Sequence, residues 1–298
     1  MELQGQVETL RAQGIGLATI SYDSREAIAA FAGQYGVTFP MLADPGSETI
    51  RRYGILNTVA YEAFGPNRDD PAVQADVRKY ISIVGVQERM QGIAYPGTFM
   101  LDTEGRVTSR FFEDFYIQRN TVASILKRVG TDGASVTGTS VGTEHLNVTT
   151  YPSDAGVAVG NRFSLVFDIT PGPGMHVYAP GADQYRIVTA RIEPQPYLEA
   201  LPLSYPESQI YHFEPLDERV RVYQQPFTLV QEMVLDGGLE AQRALRGQKT
   251  LTITGTLDYQ ACDDQICYNP VSVPLSWTVE LRPIAMPGPP GGRPPASR

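Results

Sequence analysis

The chain has 298 residues, of which 42% are hydrophobic, and its formal net charge at pH 7 is −9. The hydrophobic fraction excludes a wholly disordered chain, and the length suffices for two domains with separate cores. No run of about 18 apolar residues is available to span a membrane. The negative charge argues against nucleic acid as a partner, because binding to nucleic acid requires a basic face.

The first 129 residues are predicted to alternate between extended segments and helices. Extended segments are expected at 15–21, 37–42, 95–102 and 106–112, and helices before Gly14, between Asp23 and Gly36, from Asp44-Pro45 to Tyr53, at 71–80 and at 117–129. Asp23 and Glu26 have the spacing of a capping box. Strands that alternate with helices indicate a parallel sheet covered by helices, so we expect an α/β domain at residues 1–129.

The composition changes after residue 129. Residues 130–142 are small and polar and lack helical periodicity, which is typical of an interdomain linker. Short extended segments follow at 145–150, 162–169, 175–178, 209–213 and 227–235. Short strands separated by proline and glycine favour an antiparallel sandwich, which we place at residues 143–284. The Pro/Gly-rich tail at 285–298 is predicted to be disordered.

The only two cysteines, Cys262 and Cys267, lie close together near the end of the second half. Apolar residues alternate in the flanking segments 251–259 and 271–279, which predicts a β-hairpin with the cysteines beside its loop. The loop 263–266 leaves the cysteines as cross-strand neighbours. Their Cα atoms are then expected roughly 4.5–5.5 Å apart, a separation that suits a disulfide.

Three interpretations of the cysteine pair remain open at this point. A purely structural disulfide would stabilise little, because the enclosed loop is short. Half of a zinc site is a second interpretation, although His145, His176 and His212 do not have zinc-finger spacing from the cysteines. The third interpretation is a redox-active dithiol on an exposed loop.

Two carboxylates stand directly beside the first cysteine. Asp263 and Asp264 disfavour a nearby thiolate, so we expect them to raise the pKa of the Cys262 thiol and to slow its attack on other disulfides. The pair would then serve better as a disulfide that a reductant attacks than as a fast nucleophile.

The pattern Tyr-Gln-Ala-Cys-Asp-Asp-x-x-Cys-Tyr-x-Pro at 259–270 resembles the active-site hairpin of the N-terminal periplasmic domain of the DsbD family of thiol:disulfide interchange proteins. The resemblance extends upstream to 173–180, 211–219 and 222–229 and spans roughly residues 143–281. It implies an immunoglobulin-like sandwich whose cysteine pair accepts electrons from a membrane donor and passes them to thiol/disulfide partner proteins. On this resemblance, Cys262 and Cys267 are the redox pair.

The same resemblance implies supporting residues around the cysteines. The strand with His176 and Tyr178 would lie near the pair, where these side chains either adjust thiol acidity, bind a partner or only pack. The family shields its disulfide with a cap loop that bears an aromatic residue after Asp-Glu. Here Arg219 follows Asp217-Glu218, and the loop is shorter.

The first half resembles the redoxin branch of the thioredoxin fold, the alkyl hydroperoxide reductase/thiol-specific antioxidant family. The matching segments are 17–23, 39–44, 53–55 and 95–107. The resemblance implies that Pro96 is a cis-proline that faces the catalytic site, whereas the other interpretation is an ordinary proline at the start of a strand. Residues 1–129 contain no cysteine, so this thioredoxin-like domain is expected to be incomplete at its N-terminus and to lack its nucleophile.

The leading hypothesis is a thiol–disulfide oxidoreductase or electron-relay protein that uses Cys262 and Cys267 and needs no cofactor or metal. One alternative is a peroxiredoxin-like antioxidant protein whose catalytic cysteine lies upstream of Met1. Another is a non-catalytic interaction protein with a structural disulfide. The first residues lack the features of a signal peptide. The resemblance implies a periplasmic or extracytoplasmic location, and a cytoplasmic location stays open.

Overall fold

The computed structural model describes residues 2–81, 86–112, 119–128, 136–213 and 217–283. It forms two compact units. The first comprises the residues up to Val122 together with Gly237–Glu240, and the second comprises Ala123–Asp236 and Ala241–Pro283. The tail predicted at 285–298 and the first part of the predicted linker lie outside the described residues. No helix within the described ranges is long and apolar enough to cross a membrane.

The first unit contains short helices and two small pairs of strands. Its elements are α1 (Glu2–Ala12), β1 (Thr19–Ser21), α2 (Arg25–Tyr35), β2 (Met41–Ala43), α3 (Glu48–Arg52), α4 (Thr58–Glu62), α5 (Pro71–Ile81), a 3-10 helix (Glu88–Met90), β3 (Gly97–Leu101), β4 (Val107–Phe112) and β5 (Arg119–Asn120). β1 pairs with β2 in parallel, and β3 pairs with β4 antiparallel. The predicted β-α-β alternation and the predicted hairpin are therefore both present.

The ends of α2 show how local chemistry sets an element. Ser24 is the N-cap, and its side chain accepts a hydrogen bond from the Ala27 backbone N–H at 3.2 Å. The predicted capping residue, Asp23, instead accepts a hydrogen bond from the Ser21 hydroxyl at 2.5 Å, so that prediction is wrong. The helix ends at Gly36, which has a φ of 62° and caps it as expected, because only glycine adopts this conformation without steric cost.

Pro96 precedes β3 in the first unit. Every peptide bond of the described residues is trans, including that between Tyr95 and Pro96, so the prediction of a cis-proline is wrong. The trans isomer of a bond before proline is favoured by about 0.5–1 kcal/mol unless packing selects the cis form. Pro96 is only half-buried, so packing around the ring is incomplete.

The second unit is built mainly from strands. Its elements are α6 (Val122–Arg128), β6 (Thr139–Gly142), β7 (Leu146–Pro152), β8 (Gly156–Val157), β9 (Asn161–Pro171), β10 (His176–Tyr178), β11 (Thr189–Ile192), β12 (Leu198–Ala200), β13 (Gln209–Phe213), β14 (Glu218–Tyr223), β15 (Phe227–Leu235), α7 (Leu239–Ala244), β16 (Thr250–Tyr259), β17 (Ala261–Cys262) and β18 (Val271–Leu281). All five strands predicted between residues 145 and 235 are present, shifted by at most a few residues.

Two sheets enclose the main core of the second unit. One has the strand order β12-β15-β9-β7-β6, and the other has the order β11-β16-β18-β8. Trp277 of β18 joins them, because its ring contacts Phe167 of β9 edge to face and its N–H donates to the Thr150 hydroxyl of β7 at 2.9 Å. The unit therefore consists mostly of β-sheets, in an arrangement consistent with a sandwich.

Helix α6 lies on the outer side of the sheet that contains β9. The Ser124 and Ser164 hydroxyls are 2.7 Å apart in a buried hydrogen bond, and Arg128 forms an ion pair of 2.7 Å with the buried Glu232. These contacts explain why β9 is buried on both faces from Phe163 to Phe167. The sequence predicts this helix for the first domain and a linker up to residue 142. In the structure the helix packs in the second unit. The strand β6 lies within the predicted linker and pairs with β7.

Candidate functional site

The cysteines lie beside the loop of the longest hairpin. β16 and β18 are antiparallel in a continuous register from Thr250, opposite Glu280, to Tyr259, opposite Val271. β-Branched and aromatic residues on alternate positions favour such a hairpin, and its inward face fills the core. The hairpin predicted from the sequence is confirmed.

After Tyr259 the chain leaves this hairpin and forms β17, the edge of a third sheet with the order β13-β14-β10-β17. Cys262 and Cys267 form an antiparallel bridge and are joined by a disulfide, with their Cα atoms 4.1 Å apart. Cys262 is 1% exposed, whereas Cys267 is exposed to solvent. A reactant from solution therefore meets the Cys267 side of the disulfide first.

Tyr178 is the side chain in closest polar contact with the disulfide. Cys262 lies opposite His176 on β10, and Tyr178 follows two residues later on the same face. The Tyr178 hydroxyl is 2.9 Å from the Cys262 sulfur and 3.3 Å from the Cys267 sulfur. Since a disulfide sulfur has no proton, the phenol is the donor. Burial, with nearby Tyr185 and Glu218, raises the pKa of Tyr178 and keeps it protonated.

His176 is buried next to this tyrosine. It is 2% exposed, and its ring centroid is 5.6 Å from that of Tyr178 and 4.6 Å from that of Tyr211. Its Nδ1 is buried and has no hydrogen-bond partner among the described residues. Burial lowers the pKa of His176 despite the opposing effect of Asp264 and Asp263, so the imidazole is neutral at pH 7.

Asp263 organises the loop between the cysteines. Its carboxylate accepts hydrogen bonds from the backbone N–H groups of Gln265 at 2.7 Å and Ile266 at 2.6 Å, and from the Tyr268 hydroxyl at 2.9 Å. The bonds from Gln265 and then Ile266 are the main reasons that the pKa of Asp263 is lowered. The Asp263 carboxylate therefore holds the loop by hydrogen bonds. The sequence predicts only its other role, the negative charge beside Cys262.

Asp264 has a different partner. It accepts a hydrogen bond of 2.8 Å from the hydroxyl of Tyr211, which extends from β13 at the opposite edge of the third sheet. Tyr211 thereby covers His176 on the same face. The sequence analysis did not single out this tyrosine, although its position in a segment of alternating residues was the available signal.

A second tyrosine was also missed. Tyr185 stacks on Tyr178 with ring centroids 4.0 Å apart and an interplanar angle of 8°, and its hydroxyl donates to Glu218 at 2.7 Å. Tyr185 lies in the loop after β10, where no periodicity marks it. Only the folded arrangement brings it to the disulfide.

Six of the seven residues proposed from the sequence therefore lie within one cluster: Cys262, Cys267, His176, Tyr178, Asp263 and Asp264. Pro96 belongs to the first unit. Among the described residues, no group of three or more His, Cys, Asp or Glu side chains is placed to hold a metal ion. Both cysteine sulfurs are engaged with each other, so the arrangement is that of a disulfide and not of half a zinc site.

No curated protein matches this chain. Among solved structures, it is similar to the N-terminal periplasmic domain of ScsB from Proteus mirabilis, with 14% identity and a TM-score of 0.34 over 47% of this chain and 51% of that one. The chain thus spans about half of that domain. The yeast GGA1 GAE domain shows 8% identity and a TM-score of 0.26 over 46% of this chain and 94% of that one. Neither score establishes a common fold.

The family comparisons are more informative. Residues 1–110 match the AhpC/TSA family, which makes the first region thioredoxin-like. Residues 149–274 match the N-terminal region of the thiol:disulfide interchange protein DsbD, and this match includes both cysteines. Together they support a thiol–disulfide redox role. The chain therefore joins a region that resembles the AhpC/TSA family to a region that resembles the DsbD N-terminal domain.

Proposed function

We propose that the second unit carries out thiol–disulfide exchange through Cys262 and Cys267 and relays electrons between partner proteins. The observation that carries the proposal is the asymmetry of the disulfide. Cys267 is exposed, whereas Cys262 is buried and its sulfur accepts a hydrogen bond from Tyr178 at 2.9 Å. One sulfur is open to attack, and the other has a donor that stabilises it when it leaves.

The exchange follows from this asymmetry. A thiolate of a reduced partner attacks the Cys267 sulfur, and its electron pair forms a mixed disulfide. The bond between the two cysteines breaks, and its electron pair stays on Cys262 as a thiolate. The Tyr178 hydroxyl donates to that thiolate, which favours its release because hydrogen bonds to charged groups are the stronger ones.

A second thiolate on the partner completes the transfer. It attacks the partner's own sulfur in the mixed disulfide and releases Cys267 as a thiolate. The partner has then been oxidised to a disulfide, and the Cys262/Cys267 pair has gained two electrons. The reverse sequence passes these electrons to an oxidised partner, so the chemistry requires dithiol partner proteins and no bound cofactor.

Single-cysteine variants test the proposed direction of attack. Cys262→Ser leaves the exposed Cys267, and Cys267→Ser leaves the buried Cys262. The partner is a single-cysteine protein of the thioredoxin type whose thiol carries 5-thio-2-nitrobenzoate in an activated disulfide. We expect the thiolate of the first variant to displace 5-thio-2-nitrobenzoate and form the mixed disulfide at least tenfold faster than that of the second variant, since access limits thiol reactivity. Non-reducing electrophoresis and intact mass would measure the rate.

The matched control is Tyr151→Phe in each single-cysteine background. This substitution removes a hydroxyl that donates a hydrogen bond of 2.9 Å to Asp168, on a strand of another sheet, far from the cysteines in the fold's hydrogen-bond pattern. It should leave both rates unchanged. Equal trapping of the two cysteines, or faster trapping of Cys262, would contradict the proposed direction.

The remaining assignments are proposals of the same kind. The immunoglobulin-like form of the sandwich is supported by the DsbD match and by the antiparallel sheets. An extracytoplasmic location and a membrane electron donor are supported by the same match, and disulfides persist in oxidising compartments. Residues 1–129 contain no thiol. The proposed role of the first unit is therefore that of a scaffold or of a docking surface for a partner protein. A deletion of this unit that left exchange rates unchanged with every partner would exclude that role.

A further inference from the structure

The segment 260–268, which we call the cysteine turn, is closed by hydrogen bonds as well as by the disulfide. Inside the disulfide, the Asp263 backbone N–H donates to the Ile266 carbonyl at 3.0 Å. Outside it, the Tyr268 backbone N–H donates to the Ala261 carbonyl at 2.9 Å. Neither bond involves a sulfur atom, so breaking the S–S bond removes neither of them.

The Gln260 side chain closes the outer end of the cysteine turn. Its Nε2 donates to the Tyr268 carbonyl at 3.1 Å, and its Oε1 accepts a hydrogen bond from the Arg186 backbone N–H at 3.2 Å. Chemistry dictates this orientation of the amide, because a carbonyl only accepts and a backbone N–H only donates. One side chain thus ties the residue after Cys267 to a separate segment of the second unit.

The segment that contains Arg186 is fixed to the third sheet. Ile187 forms a parallel bridge with Tyr178, and the Val188 backbone N–H donates to the Tyr178 carbonyl at 2.8 Å. Val188 is fully buried. Gln260 therefore joins the exposed side of the cysteine turn to the strand that carries the hydrogen-bond donor of the buried sulfur.

We propose that Gln260 is a positioning residue that keeps Cys267 within reach of Cys262 while the pair is reduced. This inference rests on the proposed exchange function, because the positioning matters only if the disulfide opens and closes. In the disulfide form the S–S bond already holds the cysteines together, with their Cα atoms 4.1 Å apart. In the dithiol form, the hydrogen bonds of the cysteine turn and of Gln260 hold them together instead.

The step that depends on this positioning is the closure of the disulfide. When the reduced pair passes its electrons on, Cys267 is first joined to the oxidised partner in a mixed disulfide. The Cys262 thiolate then attacks the Cys267 sulfur, the bond between Cys267 and the partner breaks, and its electron pair leaves on the partner's thiolate. This attack is intramolecular, so its rate follows the effective concentration of one sulfur at the other, which a fixed geometry raises.

The symmetric disulfide of 5-thio-2-nitrobenzoate, in small excess over the reduced protein, separates this step from the first attack. The first thiol displaces one 5-thio-2-nitrobenzoate in a phase whose rate rises with the reagent concentration. The second thiol displaces the other as the disulfide closes, in a phase whose rate does not depend on that concentration. Stopped-flow absorbance resolves the two phases.

Gln260→Met removes both hydrogen bonds and keeps the length of the side chain. We expect it to slow the second phase about fivefold, the factor that corresponds to one typical hydrogen bond, and to leave the first phase within about twofold. The equilibrium constant for closure should fall about fivefold as well, which raises the reduction potential by about 20 mV. Gln260→Glu keeps the acceptor for Arg186 but places a second acceptor against the Tyr268 carbonyl, so it should slow the second phase at least as much.

The matched control is Gln195→Met. Gln195 also donates from Nε2 to a backbone carbonyl, that of Thr252 at 3.0 Å in another sheet, so its replacement should change neither phase. An unchanged second phase in Gln260→Met, or an equal slowing in Gln195→Met, would overturn the positioning role. A first phase slowed as much as the second would also overturn it, since the substitution would then act on thiol access or acidity. The reagent drives closure at any potential, so a failed exchange function would be recognised separately, by a potential below about −300 mV in the unsubstituted protein.

Discussion

Removal of a single hydroxyl group is expected to change the acidity of the buried cysteine. In a Cys267→Ser protein, Cys262 is the only thiol, and its sulfur lies 2.9 Å from the Tyr178 hydroxyl in the disulfide form. Tyr178→Phe removes this donor and keeps the ring that stacks on Tyr185. Hydrogen bonds to charged groups contribute about 1.5–3 kcal/mol, and one pKa unit corresponds to about 1.36 kcal/mol.

Because sulfur is a weak acceptor, the lower end of that range applies. We therefore expect Tyr178→Phe to raise the pKa of the Cys262 thiol by about one unit. The ultraviolet absorbance of the thiolate across a pH series would measure it, and the alkylation rate would give an independent value. Tyr151→Phe in the same background is the control and should leave the pKa unchanged. An unchanged or lower thiol pKa in Tyr178→Phe would refute the role assigned to this hydroxyl.

Three further predictions concern the loop, the histidine and the core. Asp263→Ala should raise the reduction potential of the cysteine pair, because the loop loses its internal acceptor, and Asp263→Asn should raise it less; glutathione redox titration would measure both. For His176, whose lowered pKa means that the unfolded chain binds a proton more readily than the folded one, the free energy of unfolding should fall as the pH drops below about 6.5. Urea unfolding between pH 5 and 7.5 should show this loss, and His176→Tyr should show less of it. Leu257→Ala, at a fully buried position, should lower the free energy of unfolding by about 2–5 kcal/mol in the same assay, and a loss below about 1 kcal/mol would contradict the assigned core.

Much of the second unit could be predicted because its apolar residues occur at alternate positions, which is the two-residue period of a strand. The segments 251–259 and 271–279 have the composition and spacing of an antiparallel hairpin, and in the structure β16 and β18 pair as one. The two cysteines lie beyond the register of these strands in a separate antiparallel bridge, and their proximity was predicted from the four-residue loop between them. The acidic loop followed from the sequence as well, although its hydrogen bonds did not.

Other features depend on contacts between segments that are distant in the sequence. Tyr185 and Glu218 meet through a loop and a strand that are 33 residues apart. α6 shows the periodicity of a helix, but only its buried contacts with β9 and Glu232 assign it to the second unit. Pro96 shows the limit of a family resemblance, because the isomer of a peptide bond depends on packing that a motif does not encode.

The central claim is that the Cys262–Cys267 disulfide is built for exchange. Its equilibrium reduction potential, measured by alkylation and intact mass across a glutathione redox series, tests this most directly. Our account predicts a value in the range of exchange-active pairs, roughly −120 to −270 mV. A value below about −300 mV would contradict it, since the disulfide would then be a structural cross-link that partner proteins do not reduce.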